Sequence, residues 1–208
     1  MSDSLPRDNP ETRERLLDAA EAAVLDKGFG ATSIDELVAA VGITKSGFFY
    51  HFKGKGALAE ALLERYLERE RQLLDQVFGR ARELDGDPLH AFLIGLKLLA
   101  ELLAALPGGT PGSLMAAYCY QEQLYNREIR ALHRRAVLAW RQRFAELIGE
   151  IAERYPPRGG IDPESLADML CALVEGGMLL GRALEEPDLL PRQLLLYRRM
   201  VQDLFGAP

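Results

Sequence analysis

The chain has little of what reactive or metal-bound sites are built from. Its 208 residues include 2 Cys, Cys119 and Cys171, and 3 His, His51, His90 and His133. The cysteines lie far apart, in neither CxxC nor zinc-ligand spacing, which excludes a disulfide framework and suits a reducing cytoplasm. The histidines show no metal spacing, so no metal site is expected. There is no HExxH, no GxSxG and no phosphate-binding glycine loop. The acidic pairs Asp18/Glu21 and Glu185/Glu186 are surface-like rather than convergent. An enzyme is not expected, nor is a cofactor. Long uncharged apolar runs are missing too. The most apolar stretch, Leu89 to Leu106, carries His90, Lys97 and Glu101, which fits a buried helix better than a membrane span. The start, MSDSLPRDNPETRERL, has no apolar stretch of the signal-peptide kind. Strand-type alternation and internal repeats are also lacking.

What is there is helix, and the fold class read from the pattern is all-α with about nine helices. Asn9-Pro10, Asp87-Pro88 and Asp162-Pro163 each put an N-cap acceptor before a proline at the first helical position, where a missing N–H costs nothing. The periodicity predicts helices over about 10–27, 55–79, 88–106, 113–125, 127–154, 163–185 and 191–205. The middle of the second of these, ERYLERERQ, reads as a solvated charged face. PGGTPG at 107–112 and PPRGG at 156–160 are breaks.

Residues 33–58 carry the functional signal. Ser33 with Glu36 three residues later forms a capping box. Ile34, Leu37, Val38 and Val41 share one helical face, and Gly42 ends that helix in a left-handed conformation. Thr44 caps a second short helix, Lys45 to His51. Two short helices joined by a glycine-containing turn describe a helix-turn-helix. From Leu37 to Ala59 there is no Asp or Glu, while Lys45, His51, Lys53 and Lys55 fall in the same window. The net charge of the chain is -6, and residues 1–56 hold 7 Lys+Arg against 9 Asp+Glu. An acid-free window is out of character in such a chain, and phosphates repel carboxylates. Thr44, Ser46 and Gly47 are small enough to let the backbone approach base edges.

On these residues the stretch GFGATSIDELVAAVGITKSGFFYHFKGKGAL resembles the DNA-binding domain of TetR/AcrR-type transcriptional regulators. The matching pieces are Gly28-Phe29, Thr32-Ser33-Ile34, Val41-Gly42-Ile43 and Lys45 through Phe52 with Lys53 and Lys55. The match covers about the first quarter of the chain. The resemblance implies an all-helical homodimer whose N-terminal domains read a palindromic operator and whose larger C-terminal domain binds a small effector that releases DNA. The domains expected are 1–56 for DNA and 57–208 for effector and dimerisation. Lys45, Ser46 and Gly47 are expected nearest the bases. Ser33, Tyr50, His51, Lys53 and Lys55 are expected on phosphates. Thr44 and Phe49 complete the set, and Phe49 stands where the family often has Tyr.

A partly apolar effector pocket is expected around Met115, Tyr118, Cys119, Tyr125 and Trp140, although any one of them alone reads as core. Dimerisation is expected along Leu166, Leu170, Leu173 and Gly177 of one helix and Tyr197, Val201 and Leu204 of the next. The competing reading of these stripes is the domain's own core. Arg127, Arg130, Arg134 and Arg141 read as a solvated face paired with carboxylates. An all-helical ligand carrier that has lost DNA binding, or a helical enzyme with a repurposed N-terminal domain, are the alternatives to a regulator.

Overall fold

The computed structural model describes residues 10–119 and 127–206. Among these, all regular structure is helical: α1 (Pro10–Ala31), α2 (Ile34–Val41), α3 (Lys45–His51), α4 (Lys55–Leu84), α5 (Pro88–Ala104), α6 (Leu114–Cys119), α7 (Arg127–Arg154), α8 (Pro163–Ala183) and α9 (Leu189–Phe205), with a short 3-10 turn at Arg158–Gly160. Gly28, at φ 83 and ψ 160, breaks α1 where the sequence stops its first helix. The proline-led starts hold where they are described. Asp87 accepts from the amides of Leu89 and His90, and Asp162 accepts from that of Ser165. Asn9 lies outside the described residues.

The chain divides into two compact units. The first gathers residues up to Glu68 together with Leu114–Arg135, and the second holds Arg69–Ser113 and Ala136 onward. The division expected at residue 56 follows chain order. Packing instead adds the start of α4, all of α6 and the start of α7 to the N-terminal helices.

In the first unit Leu16, Leu17, Leu37, Phe48, Leu58, Leu62 and Leu63 are buried to within 1% of complete. Each such side chain contributes about 1.5–3 kcal/mol by leaving water. The middle of α4 is not the fully solvated face its charges suggest. The Arg65 side chain is only 11% exposed, because Glu14, Asp18 and Glu21 of α1 surround its guanidinium at 3.1, 2.8 and 2.6 Å. Burial works against its charge, and the three carboxylates outweigh that and raise its pKa. Tyr118 of α6 is also core here, 1% exposed, with its hydroxyl donating to the carbonyl of Ala59. His133 of α7 stacks on the Tyr118 ring and lies 2.9 Å from the Met115 carbonyl.

In the second unit α5, α8 and α9 enclose a continuous apolar core. Leu96, Leu170, Leu194 and Val201 are fully buried in it. The Tyr197 hydroxyl, inside the same core, donates to Leu166 O at 2.8 Å. Burial pushes the Tyr197 phenol above its ordinary pKa. Gly177 lets α8 approach α9, since a β-carbon there would stand 2.7 Å from Leu190 Cδ1 and 3.3 Å from Leu190 Cα.

The residues expected along the dimer stripe take part in this packing. Leu166, Leu170, Tyr197 and Val201 are at most 3% exposed within a single chain. Gly177 is closed off by Leu190, while Leu173 and Leu204 are partly buried against the same core. These side chains serve the subunit's own interior. Both faces of an amphipathic helix pair can be apolar, and sequence periodicity alone does not say which one turns inward.

Candidate nucleic-acid interface

The hairpin forms as its capping chemistry dictates. Ser33 Oγ accepts from the Glu36 amide at 3.2 Å. The reciprocal half of the capping box is replaced, because the Glu36 carboxylate takes Lys27 Nζ instead. The hydrogen bond from Lys27 lowers the Glu36 pKa. At the other end, Gly42 sits at φ 73, and the amides of Gly42 and Ile43 close on the carbonyls of Ala39 and Val38 at 3.2 and 3.0 Å. That is a Schellman stop. Thr44 Oγ1 then accepts from the Gly47 amide at 3.1 Å and starts α3. Phe48 anchors α3 from below, fully buried, with its ring 5.7 Å from that of Phe52.

Anchoring Phe48 inward fixes what α3 shows outward. Thr44, Lys45 and Ser46 are exposed, and Gly47 and His51 partly so. Phe49 and Tyr50 are each 52% exposed. Phe49 rests edge-on against Phe48, and Tyr50 edge-on against His51. Ser33 and Lys53 are exposed as well. Among the residues singled out for DNA, Lys55 is the one turned into the protein. Its ammonium sits 4.6 Å from the centre of the Phe29 ring and 3.3 Å from Gly30 O. Burial there lowers its pKa.

Three contacts in this unit were not legible in the sequence. Lys45 Nζ lies 2.7 Å from Asp35 Oδ1. Arg15 donates to the carbonyl of Val41, the last residue of α2. Arg13 sits over the Phe52 ring, 5.4 Å from its centre. Each joins residues from different segments of the chain, with no local motif to announce it.

The residues proposed for an effector pocket separate. Met115 and Tyr118 are core of the first unit, and Trp140 belongs to the second, edge-on to Phe144. Cys119 is exposed, and Tyr125 lies outside the described residues. A cleft of about 350 Å³ occurs elsewhere, within the second unit, between α4 and α7. Its walls include apolar Phe78 and Leu147, with Arg143 paired to Asp75 and Arg82 to Glu150. Arg141 of the arginine-rich helix is likewise paired, with Asp168. Among the described residues no group of His, Cys, Asp or Glu is placed to hold a metal ion, and no helix is long and apolar enough to cross a membrane.

An all-α chain whose N-terminal unit presents a capped helix-turn-helix, with the exposed face of its second helix free of carboxylates, has the architecture of a DNA-binding regulator. Comparison with known proteins agrees. Residues 16–62 match the family described as bacterial regulatory proteins, tetR family. The transcriptional regulator AcuR of Cereibacter sphaeroides is 26% identical over 188 residues, covering 88% of this chain and 83% of that protein. The HTH-type transcriptional regulator TtgR of Pseudomonas putida is 27% identical over 182 residues, 86% of this chain and 82% of its own. A solved structure, the regulatory protein TetR from Rhodobacter sphaeroides, superposes with a TM-score of 0.74 at 25% identity, covering 90% of this chain and 97% of that one. Residues 16–62 thus match the TetR family's DNA-binding segment, and over most of its length the chain is similar to transcriptional regulators.

Proposed function

We propose that the protein is a ligand-responsive repressor that binds a palindromic operator as a homodimer in the cytoplasm and leaves it when a small effector binds. The observation that carries this reading is the outward face of α3: Lys45, Ser46 and Gly47 at its exposed start, over a buried Phe48. In this reading Lys45, Ser46 and Gly47 meet base edges, with Thr44 and Phe49 beside them. Ser33, Tyr50, His51 and Lys53 hold phosphates and set the register. Lys55 supports that surface from within.

One helix of seven residues reads too few bases to find a site alone, so two copies reading half-sites about one DNA turn apart are required. The seam we assign to them is the outer face of α8 and α9. Met169, Ala172, Gly176 and Leu180 recur along α8 at helical spacing and are solvent-facing, and Leu195 and Leu196 continue the apolar surface on α9. Small residues between larger ones allow two copies of α8 to approach closely. For the effector we propose the cleft between α4 and α7 in place of the aromatic cluster. A ligand there leans on the second half of α4, whose first half belongs to the DNA-reading unit. Release needs only a few kcal/mol of differential affinity between the two states.

The test is selection of bound duplexes from fragmented genomic DNA of the source organism by the purified protein at near-physiological salt. Recovery of one or a few palindromic sites is expected. A pool no richer in any site than bulk DNA would sink the reading.

A further inference from the structure

We propose that Asp35 is a specificity-determining residue, which restrains Lys45 in the unbound protein and thereby weakens binding to DNA of the wrong sequence. The inference rests on the reading above that α3 meets DNA, and it sets a carboxylate of α2 beside a helix that has none of its own.

Lys45 is the sole Lys or Arg on α3, whose sequence is KSGFFYH. Its ammonium is not simply presented to solvent: Asp35 Oδ1 stands 2.7 Å away, on the first turn of α2. The other acid of that turn, Glu36, is taken by Lys27, a residue outside the set expected on DNA. The two acids bordering the reading face therefore differ, and only Asp35 competes with DNA for one of its ligands.

The pair is open to exchange. The side chains are 60% and 70% exposed, and such a pair shifts an equilibrium by at most about five-fold. A phosphate of arbitrary DNA that attracts Lys45 must also approach the Asp35 carboxylate. The local charge then sums to about zero, and the contact releases about one counterion fewer than a lone lysine would. A base edge placed to accept from Lys45 supplies a directed hydrogen bond, which arbitrary DNA does not. Asp35 thus penalises the wrong duplex more than the right one, which is discrimination by repulsion.

The experiment measures duplex affinity against salt for the full-length protein, Asp35→Asn, Lys45→Ala and the double variant. The two duplexes are a random sequence and the site recovered by selection, and melting curves check that each variant folds. Asp35→Asn is expected to tighten random-duplex binding about two- to five-fold at low salt and to steepen its salt slope by about 0.9. Its effect on the selected site is smaller, so the specificity ratio falls. In the Lys45→Ala background the same change moves random-duplex affinity less than about two-fold. Unchanged random-duplex affinity in Asp35→Asn overturns the proposal, and so does an equal gain without Lys45. Wild-type protein that binds neither duplex at any salt overturns the DNA-binding reading itself, a result distinct from either.

Discussion

Arg15 of α1 donates a hydrogen bond to the backbone carbonyl of Val41, 26 residues away, at the end of α2. The last carbonyls of a helix lack partners inside it and carry partial negative charge, so a guanidinium there satisfies both needs. The contact fixes the first helix of the reading hairpin to α1 just before the turn at Gly42. Arg15→Met is expected to lower the unfolding free energy by about 1–3 kcal/mol, the range for a hydrogen bond to a charged group. Urea denaturation followed by circular dichroism would measure it, and an unchanged midpoint would show that water replaces the contact without loss.

Lys53 and Lys55 are two residues apart and face different tasks. Lys53 is exposed, whereas Lys55 lies over Phe29 and donates to Gly30 O. Lys53→Ala should leave thermal stability within about 0.5 kcal/mol of wild type. It should lower the salt slope of DNA binding by about 0.9. Lys55→Ala should instead cost about 1 kcal/mol of stability through lost packing and cation–π attraction. Equal melting temperatures with equal changes in slope would refute the distinction.

Two glycines of the second unit should respond to alanine with opposite signs. A β-carbon at Gly95 of α5 would stand 2.5 Å from two carbons of the Phe78 ring, which is itself packed against Phe92 and Phe144. Gly95→Ala is expected to destabilise by about 1–3 kcal/mol. A β-carbon at Gly176 meets nothing within 4 Å in a single chain. Gly176→Ala should therefore favour the helix by up to about 1 kcal/mol in the monomer. If α8 packs on its copy, the same methyl group weakens the dimer. Sedimentation at several protein concentrations reads the second effect, and an unaltered dimer constant would remove Gly176 from the seam.

The two thiols should separate by reactivity. Cys119 is exposed. Burial, and after it the negative charges of Asp168 and Glu175, push the Cys171 thiol up to about 11. Because this pKa lies above the unfolded value, the linked stability is fully present below about pH 9 and declines as pH rises through 11. At pH 8 a disulfide reagent should label one thiol per chain quickly and the second only slowly or on unfolding. Two equally fast thiols would contradict the burial of Cys171.

The reading hairpin was legible because its instructions are local. Ser33, Gly42 and Thr44 act within three or four residues of themselves, and the structure uses all three as caps. Proline-led starts at Asp87 and Asp162 were legible for the same reason. Contacts between distant segments were not. Nothing near Lys45 in the chain points to Asp35, and nothing near Lys55 says that it folds back onto Phe29. Tyr118 alone read as core and only within its cluster as pocket; its partner, the Ala59 carbonyl 59 residues away, was not legible. The α8 and α9 stripes were ambiguous in another way. With Leu170 facing in and Leu180 facing out, both sides of α8 are apolar, so period alone could not choose the inner one.

Trp140 is the single tryptophan of the chain, and it lies in the second unit against Phe144. Its emission is therefore a resident optical probe of that unit and is blind to melting confined to the reading hairpin. Far-ultraviolet ellipticity, by contrast, weighs every helix alike. If the two signals are followed in one titration and their midpoints diverge, the units unfold as separate cooperative blocks. If the curves superimpose, the thirty residues of α4, which contribute to both units, bind them into a single transition.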